Sequence, residues 1–378
     1  MRAGEALEQL LSEKLDGCRA REQAAFDEAA GSAKGLILFG AGGLGRKLLR
    51  RLRQDGVEPL AFIDNKLAGG EVDELPVLNP ADAAQRWGAS AVFVVSIWAS
   101  WADTMQEQIE SLHRLGCRTV LPFLPLLWKY PDLLPHVQID LPSRVLEHRE
   151  EIPRAFQLLS DEDSRIEFVA QLKWRLHGDF HALRPARPDQ YWQKDLIRLP
   201  EQAVYVDAGA CDGDTLEQFV SFVQGRFGGA YVFEPDADNF AALRKRMDRM
   251  PAAIAECVQA LPFAVAEGKY DVSFSGGAGA SSAAGAGPET VHCVALDEVI
   301  HERVDLIKYD IEGFELLGLK GSRRLIQECG PRLTVCAYHV QSHLWQIPLL
   351  IDSLRRGYRF YLRPHGQIWE TVYYAVAN

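Results

Sequence analysis

Residues 204–215 read Val-Tyr-Val-Asp-Ala-Gly-Ala-Cys-Asp-Gly-Asp-Thr, and an apolar run with helical spacing, 216–223, follows directly. A β-branched segment closing on an acid, glycines at 209 and 213, and Asp-Thr ahead of a 3.6-period run predict strand, tight turn and helix. Glycine lets such a turn approach a ligand closely, and the free N–H groups of the helix start attract polar or anionic groups. Asp207, at the strand's carboxyl end, is expected to face a ligand's amino or hydroxyl donors, with Gly209, Asp212, Gly213 and Thr215 around it. Taken alone the loop also fits an ordinary βα turn, since Cys211 stands where a nucleotide loop carries its middle glycine.

Two further stretches point the same way. Residues 230–236, Ala-Tyr-Val-Phe-Glu-Pro-Asp, predict a second strand ending on Glu234, about 20 residues past the loop, where α/β nucleotide folds hold ribose hydroxyls. Residues 304–315, Val-Asp-Leu-Ile-Lys-Tyr-Asp-Ile-Glu-Gly-Phe-Glu, predict a third strand that again closes on carboxylates. Three strands that end on acids are expected to converge on one ligand-binding edge.

DAGACDGDT at 207–215, FEPDADNF at 233–240, LDE at 296–298 and IKYDIEGFE at 307–315, in that order, resemble the FkbM family of S-adenosylmethionine-dependent methyltransferases. The resemblance spans roughly residues 155–378. It is most specific in the IK-x-D-I-E-G-x-E block and FEPD, and it departs from the family at Cys211. It implies a class I methyltransferase fold, a doubly wound sheet closed by a terminal antiparallel pair. It implies S-adenosylmethionine as cofactor and, as acceptor, a hydroxyl of a sugar, glycan or related natural product. Ala264, in the strand expected at 261–265, would then lie against the adenine.

The front of the chain carries a second strand-turn-helix at 35–54, with a complete G-x-G-x-x-G in Gly40, Gly42 and Gly45, and a second strand ending on Asp64. Together with 76–80 and 91–96 it resembles the small Rossmann-like domain of PglD-type sugar acyltransferases, which implies a nucleotide-sugar for the loop. By pattern alone NAD(P) fits as well, and so does a Rossmann-like module kept for packing or oligomerisation. These four residues are therefore carried as contacts to a second nucleotide and not as catalysts.

The chain of 378 residues exceeds one comfortable core, which predicts two domains. The expected division is an N-terminal docking helix over 1–32, a Rossmann-like domain over 33–125, a proline-broken helical linker over 126–200, and the methyltransferase domain over 201–378. The fold class is α/β, with two doubly wound domains. A formal net charge of −11 argues against a nucleic-acid partner. Seven cysteines without C-x-x-C spacing predict neither a disulfide framework nor a zinc cage, and a reducing, cytoplasmic home follows. No apolar run approaches the ~20 residues of a membrane span, so a soluble chain is expected; a homo-oligomer is left open. Within 159–176 an N-capped amphipathic helix is expected, Trp174, Tyr191 and Trp192 read as packing, and the Arg and Lys residues of 240–250 read as a solvated face. The glycine-rich tract 275–287 reads as a mobile loop.

Moving a methyl group from a sulfonium to a hydroxyl is an in-line displacement that needs proximity and a base. Asp310, ending the strand beside the first one, borders the ligand crevice of a doubly wound fold. His339, after the β-rich run 333–337, lands at another strand end, and histidine is the side chain whose ordinary pKa lies nearest neutrality. His339 is expected as base or acceptor binder and Asp310 as its partner, with His343, Tyr338 and Arg363 as weaker members of the set. Asp310, Glu312 and His339 could also hold a metal, though no spacing demands one. Two other readings stay open: an NAD(P)-linked oxidoreductase using residues 40–45, and a non-catalytic nucleotide-binding scaffold.

Overall fold

The structure, a computed structural model, describes residues 2–97, 104–136, 139–275, 283–284, 289–365 and 370–377. The chain divides into two compact units, one of residues 1–149 and 169–185, the other of residues 150–168 and 186–378. The stretch 126–200, expected as a linker, is shared out between them.

In the first unit β1 (Leu36–Phe39), β2 (Ala61–Ile63), β3 (Glu71–Val72), β4 (Leu75–Leu78), β5 (Val92–Val95) and β6 (Thr119–Pro122) form one sheet, in the order β3-β4-β2-β1-β5-β6. All neighbours run parallel except β3 with β4. The central strands β1, β2 and β5 are buried along their whole length, as uninterrupted apolar runs in a parallel sheet require. The stretch 1–32 is two helices, Ala3–Leu11 and Leu15–Ala30, where one was expected. The Ser12 N–H and hydroxyl both turn back onto Gln9 O, which stops the first helix. The second buries Glu22, whose carboxylate accepts from the Ser143 N–H and hydroxyl, each at 2.9 Å, and so caps the helix Pro142–Glu147.

The second unit holds β7 (Val204–Ala208), β8 (Gly229–Phe233), β9 (Val258–Leu261), β10 (Ala264–Val265), β11 (Tyr270–Ser275), β12 (Ala283–Ala284), β13 (Glu289–Val294), β14 (Leu306–Tyr309), β15 (Arg332–Cys336), β16 (Tyr358–His365) and β17 (Glu370–Ala377). Its large sheet runs β16-β17-β15-β14-β7-β8-β9, parallel from β9 to β15 and closed by an antiparallel β17 and β16. That is the doubly wound sheet with a terminal antiparallel pair that the sequence leads one to expect. Residues 261–265 are not one strand. The large sheet ends at Leu261, Pro262 offers no N–H to continue the ladder, and Ala264 begins β10 in a second sheet of order β10-β13-β11-β12. The helix expected within 159–176 is Glu162–His177, capped by Asp161, which accepts from the Ser164 N–H at 2.9 Å. Trp192 packs as expected, its ring centroid 5.5–5.7 Å from those of Tyr205, Phe219 and Phe222. Most of the glycine-rich tract, 276–282 and 285–287, lies outside the described residues.

Candidate active site

Strand order reverses between β7 and β14, and in an open α/β sheet the ligand crevice lies at the carboxyl ends on either side of such a reversal. Asp207 in β7, Glu234 just past β8 and Asp310 just past β14 stand on three adjacent strands at this edge. The convergence expected from sequence is therefore present.

The turn after β7 is built by left-handed residues. Gly209 has φ +83°, and a Cβ there would sit 1.8 Å from the Asp310 carbonyl oxygen, so only glycine lets the turn touch β14's end. Cys211, in place of the missing glycine, also adopts a left-handed φ of +49°, at a cost of roughly 1 kcal/mol. Its N–H donates to Glu234 Oε2 at 2.8 Å. Asp212 does not face a ligand freely: the Arg246 guanidinium pairs with its carboxylate and donates through Nε to its carbonyl at 2.8 Å. Arg246, expected on a solvated face, is thus a clamp on the turn.

Asp207 is fully buried, and both its oxygens have donors within the protein. Lys308 Nζ lies 2.9 Å from Oδ1, and the Thr215 hydroxyl donates to Oδ2 at 2.5 Å. Lys308 also donates to Gly209 O at 2.6 Å. Burial works against its charge, yet Asp207 and Asp310 hold its proton and keep its pKa raised. Asp207 and Thr215 therefore shape the turn from below. Glu234 is different. Oε1 accepts from the Asp236 N–H at 2.9 Å and Oε2 from the Cys211 N–H at 2.8 Å, and a carboxylate oxygen with one such bond keeps capacity to accept another. Two such acceptors side by side suit a vicinal diol. Burial lifts the carboxyl to about 7 against the pull of those N–H groups. Ala264 is half-buried at the start of β10, in the second sheet.

On the other side of Gly209, Asp310 Oδ2 accepts from the Tyr191 hydroxyl at 2.7 Å and Oδ1 from Tyr338 at 3.1 Å, with His339 Nε2 at 3.3 Å from Oδ1. Burial would raise the Asp310 carboxyl, but Lys308 and His339 bring it below its ordinary value. His339 Nδ1 lies 2.7 Å from Oε1 of the sealed Glu315, and Nε2 lies 3.6 Å from Glu312 Oε2. Burial disfavours the imidazolium, but Glu315, Asp310 and Glu312 outweigh it and raise His339 to about 9. His339 thus carries its proton at neutral pH, which suits the acceptor-binding alternative expected for it better than the base; three carboxylates keep the proton on it. Glu315 Oε2 is also 3.0 Å from His343 Nδ1.

The structure brings Asp310, Tyr338, His339 and, through Glu315, His343 together, and it removes Arg363. That guanidinium is tied to Asp161 at 2.5 Å and to the Ser164 hydroxyl at 2.8 Å, where it braces the cap of the helix Glu162–His177. Tyr191, read as packing, is part of the site: besides donating to Asp310 it lies under Lys308, 5.1 Å from ring centroid to Nζ. Glu315 sits inside the quoted IKYDIEGFE yet no role follows from the motif; its spacing across Gly313 from Glu312 is the signal that could have found it. Among the described residues no group of three or more His, Cys, Asp or Glu side chains is arranged to hold a metal ion.

The first unit's turn is a close-packed glycine loop: Gly40 has φ +116°, and a Cβ on Gly45 would lie 1.9 Å from Gly40 O. Gly42 precedes the helix Gly43–Gln54. Asp64 accepts from its own surroundings, the N–H groups of Ala41 at 3.3 Å, Lys66 at 2.8 Å and Leu67 at 3.2 Å.

Residues 207–360 match the methyltransferase FkbM domain. The chain is a methyltransferase. The FkbM domain implies S-adenosylmethionine as methyl donor, and its matched span runs from Asp207 into β16, so it contains Asp207, Glu234, Asp310, Glu312, Glu315 and His339 but not Tyr191 or the first unit's loop. The crystal structure of methyltransferase FkbM from Methylobacillus flagellatus KT superposes with a TM-score of 0.78 at 23% identity, covering 99% of this chain and 98% of that one. At that identity it shows the fold, and it does so for both units. An rRNA methylase from Streptococcus thermophilus (14% identity, 50% of this chain and 93% of that one, TM-score 0.32) is only a partial likeness and carries no weight. The same holds for precorrin-6y C5,15-methyltransferase from Geobacter metallireducens GS-15 (12%, 51% and 94%, TM-score 0.32). No curated protein matches the chain. Among the described residues no helix is long and apolar enough to cross a membrane.

Proposed function

We propose that this methyltransferase acts on a hydroxyl oxygen of a sugar, glycan or related natural product, with S-adenosylmethionine as donor. The observation that carries the reading is the arrangement across Gly209: paired carboxylate oxygens of Glu234 on one side, Asp310, Glu312 and His339 on the other. When bound, S-adenosylmethionine supplies a methyl group made electrophilic by its sulfonium. Glu234 would take the ribose hydroxyls, and the turn after β7, kept low by Gly209, would border the donor's other end. Asp310 holds the acceptor by accepting from a hydroxyl next to the one that is methylated, and His339, carrying its proton, donates to a neighbouring oxygen. Holding nucleophile and methyl in line supplies most of the acceleration. An acceptor side built of carboxylates favours an uncharged polyol over a phosphorylated one.

The proposal does not extend to a second nucleotide, NAD(P) or nucleotide-sugar, in the first unit: the methyltransferase match begins only at Asp207. The seven unpaired cysteines fit a reducing compartment such as the cytoplasm. The test is transfer of a tritiated methyl group from S-adenosylmethionine to a set of neutral mono- and oligosaccharides and UDP-sugars. Label is expected in a neutral sugar and lost in Asp310→Asn; a chain that binds the donor yet labels none of them would place the acceptor outside carbohydrates.

A further inference from the structure

Past β14 the chain turns through two consecutive left-handed residues, Glu312 (φ +52°) and Gly313 (φ +98°). Glycine adopts that φ freely; a glutamate does so at a cost of about 1–2 kcal/mol, and persists there only if its surroundings hold it. Glu315 holds it. Fully buried, its Oε1 accepts from the Ile311 N–H at 3.0 Å and the Gly313 N–H at 3.4 Å, the two residues flanking Glu312, and from His339 Nδ1 at 2.7 Å. One sealed oxygen fixes the turn and the imidazole together. The Glu312 side chain remains 32% exposed, with Oε2 3.6 Å from His339 Nε2. Asp310, by contrast, already has Tyr191, Tyr338 and His339 on its oxygens.

Resting on the methyl-transfer reading above, we propose that Glu312 is the general base that takes the proton of the acceptor hydroxyl, and that Glu315 is the residue that positions it. An acceptor-oxygen lone pair forms the new O–C bond to the methyl carbon, the S–C bond breaks with its electron pair going to sulfur, and the hydroxyl proton passes to a Glu312 oxygen and then to solvent. The charged groups facing Glu312 are His339, Asp310, Glu315 and Glu234. Burial is the largest influence and lifts Glu312 to about 7, against the pull of the His339 imidazolium. A base poised there accepts a proton at neutral pH and releases it again. His339, already protonated, steadies the ionised carboxylate.

Two readouts on the full-length chain test this. In a sample carrying 13C in glutamate side-chain carboxyls, with S-adenosylhomocysteine bound, the signal that disappears in Glu312→Gln is expected to titrate within about one unit of 7 and to move in Glu315→Gln. With an accepting sugar from the screen above, Glu312→Gln is expected to lower kcat by roughly 10²–10⁴-fold, to remove the acidic limb of the kcat profile, and to leave S-adenosylhomocysteine affinity unchanged. A carboxyl titrating near 4.3, as in a free glutamate, would overturn the assignment whether or not a sugar is accepted. So would a Glu312→Gln enzyme within about threefold of wild type, or an acidic limb that His339→Gln removes and Glu312→Gln keeps. Sugars that take no label while Glu312 titrates near 7 would count against the acceptor class alone and support the poised base.

Discussion

Asp207→Asn removes the directly bonded counter-charge of a lysine that is only 1% exposed, leaving it Asp310 alone, and the structure sets the size of the effect. At 2.9 Å and an effective dielectric of about 20, the Lys308–Asp207 attraction is about 6 kcal/mol, most of it offset by the cost of taking both charges out of water. Asparagine keeps the shape and abolishes the attraction, while Lys308 stays sealed beside the Gly209 carbonyl. Breaking such a buried pair from one side costs about 3–5 kcal/mol, a large part of the 5–15 kcal/mol by which a domain is stable. Urea unfolding followed through the fluorescence of Trp192 and Trp345 in the second unit should show the loss, fitted with a separate transition for each unit. The double replacement Asp207→Leu with Lys308→Met removes both charges of the pair, leaves Asp310 with His339 as its counter-charge, and should recover most of the loss, giving a large coupling energy in the cycle. A single Asp207→Asn variant within about 1 kcal/mol of wild type, or a double variant less stable than either single one, would refute this account of the pair. Loss of donor binding in an Asp207 variant would accordingly report unfolding as much as a lost contact.

The pH dependence of His339 has a definite sign. Its pKa is about 9 folded against about 6.5 unfolded, so its contribution, about 3 kcal/mol, is complete below pH 6.5 and disappears as pH rises towards 9. The stability gap between wild type and His339→Gln should narrow by that amount from pH 6 to 9.5; a constant gap would mean the imidazole is not held protonated. In the turn after β7, Gly209→Ala forces a Cβ to 1.8 Å from the Asp310 carbonyl oxygen and should destabilise by about 3 kcal/mol or more. Cys211→Gly relieves a left-handed cysteine at the price of a looser unfolded chain, so thermal unfolding should move by less than about 1 kcal/mol; equal losses in the two variants would contradict the backbone argument.

The features legible in the sequence are those that local pattern encodes. The acids at 207, 234 and 310 fall at strand ends because alternating or fully apolar runs stop just before them, and the glycines at 209 and 213 mark a turn that no other residue type builds as cheaply. What was not legible depends on partners far along the chain. Lys308 and Asp207 are a hundred residues apart and meet because β14 lies beside β7, with Lys308 in register with Asp207. Arg363 meets Asp161 and Arg246 meets Asp212 through packing that no period reveals. His339 is the instructive case: its type leaves base and acceptor binder equally open, and only the three carboxylates folded around it decide that it carries a charge. Tyr191 looked like packing because an aromatic residue in a proline-rich stretch usually is; its hydroxyl on Asp310 is visible only in the fold.

The central claim, that the second unit's turn and Glu234 hold the methyl donor, is tested most directly by calorimetric titration of S-adenosylhomocysteine into the full chain and its Glu234→Ala and Asp64→Ala variants. One site per chain is expected. Affinity should fall at least tenfold, about 1.4 kcal/mol, in Glu234→Ala and stay unchanged in Asp64→Ala. No binding to the wild-type chain, or a loss that follows Asp64 and spares Glu234, would contradict it.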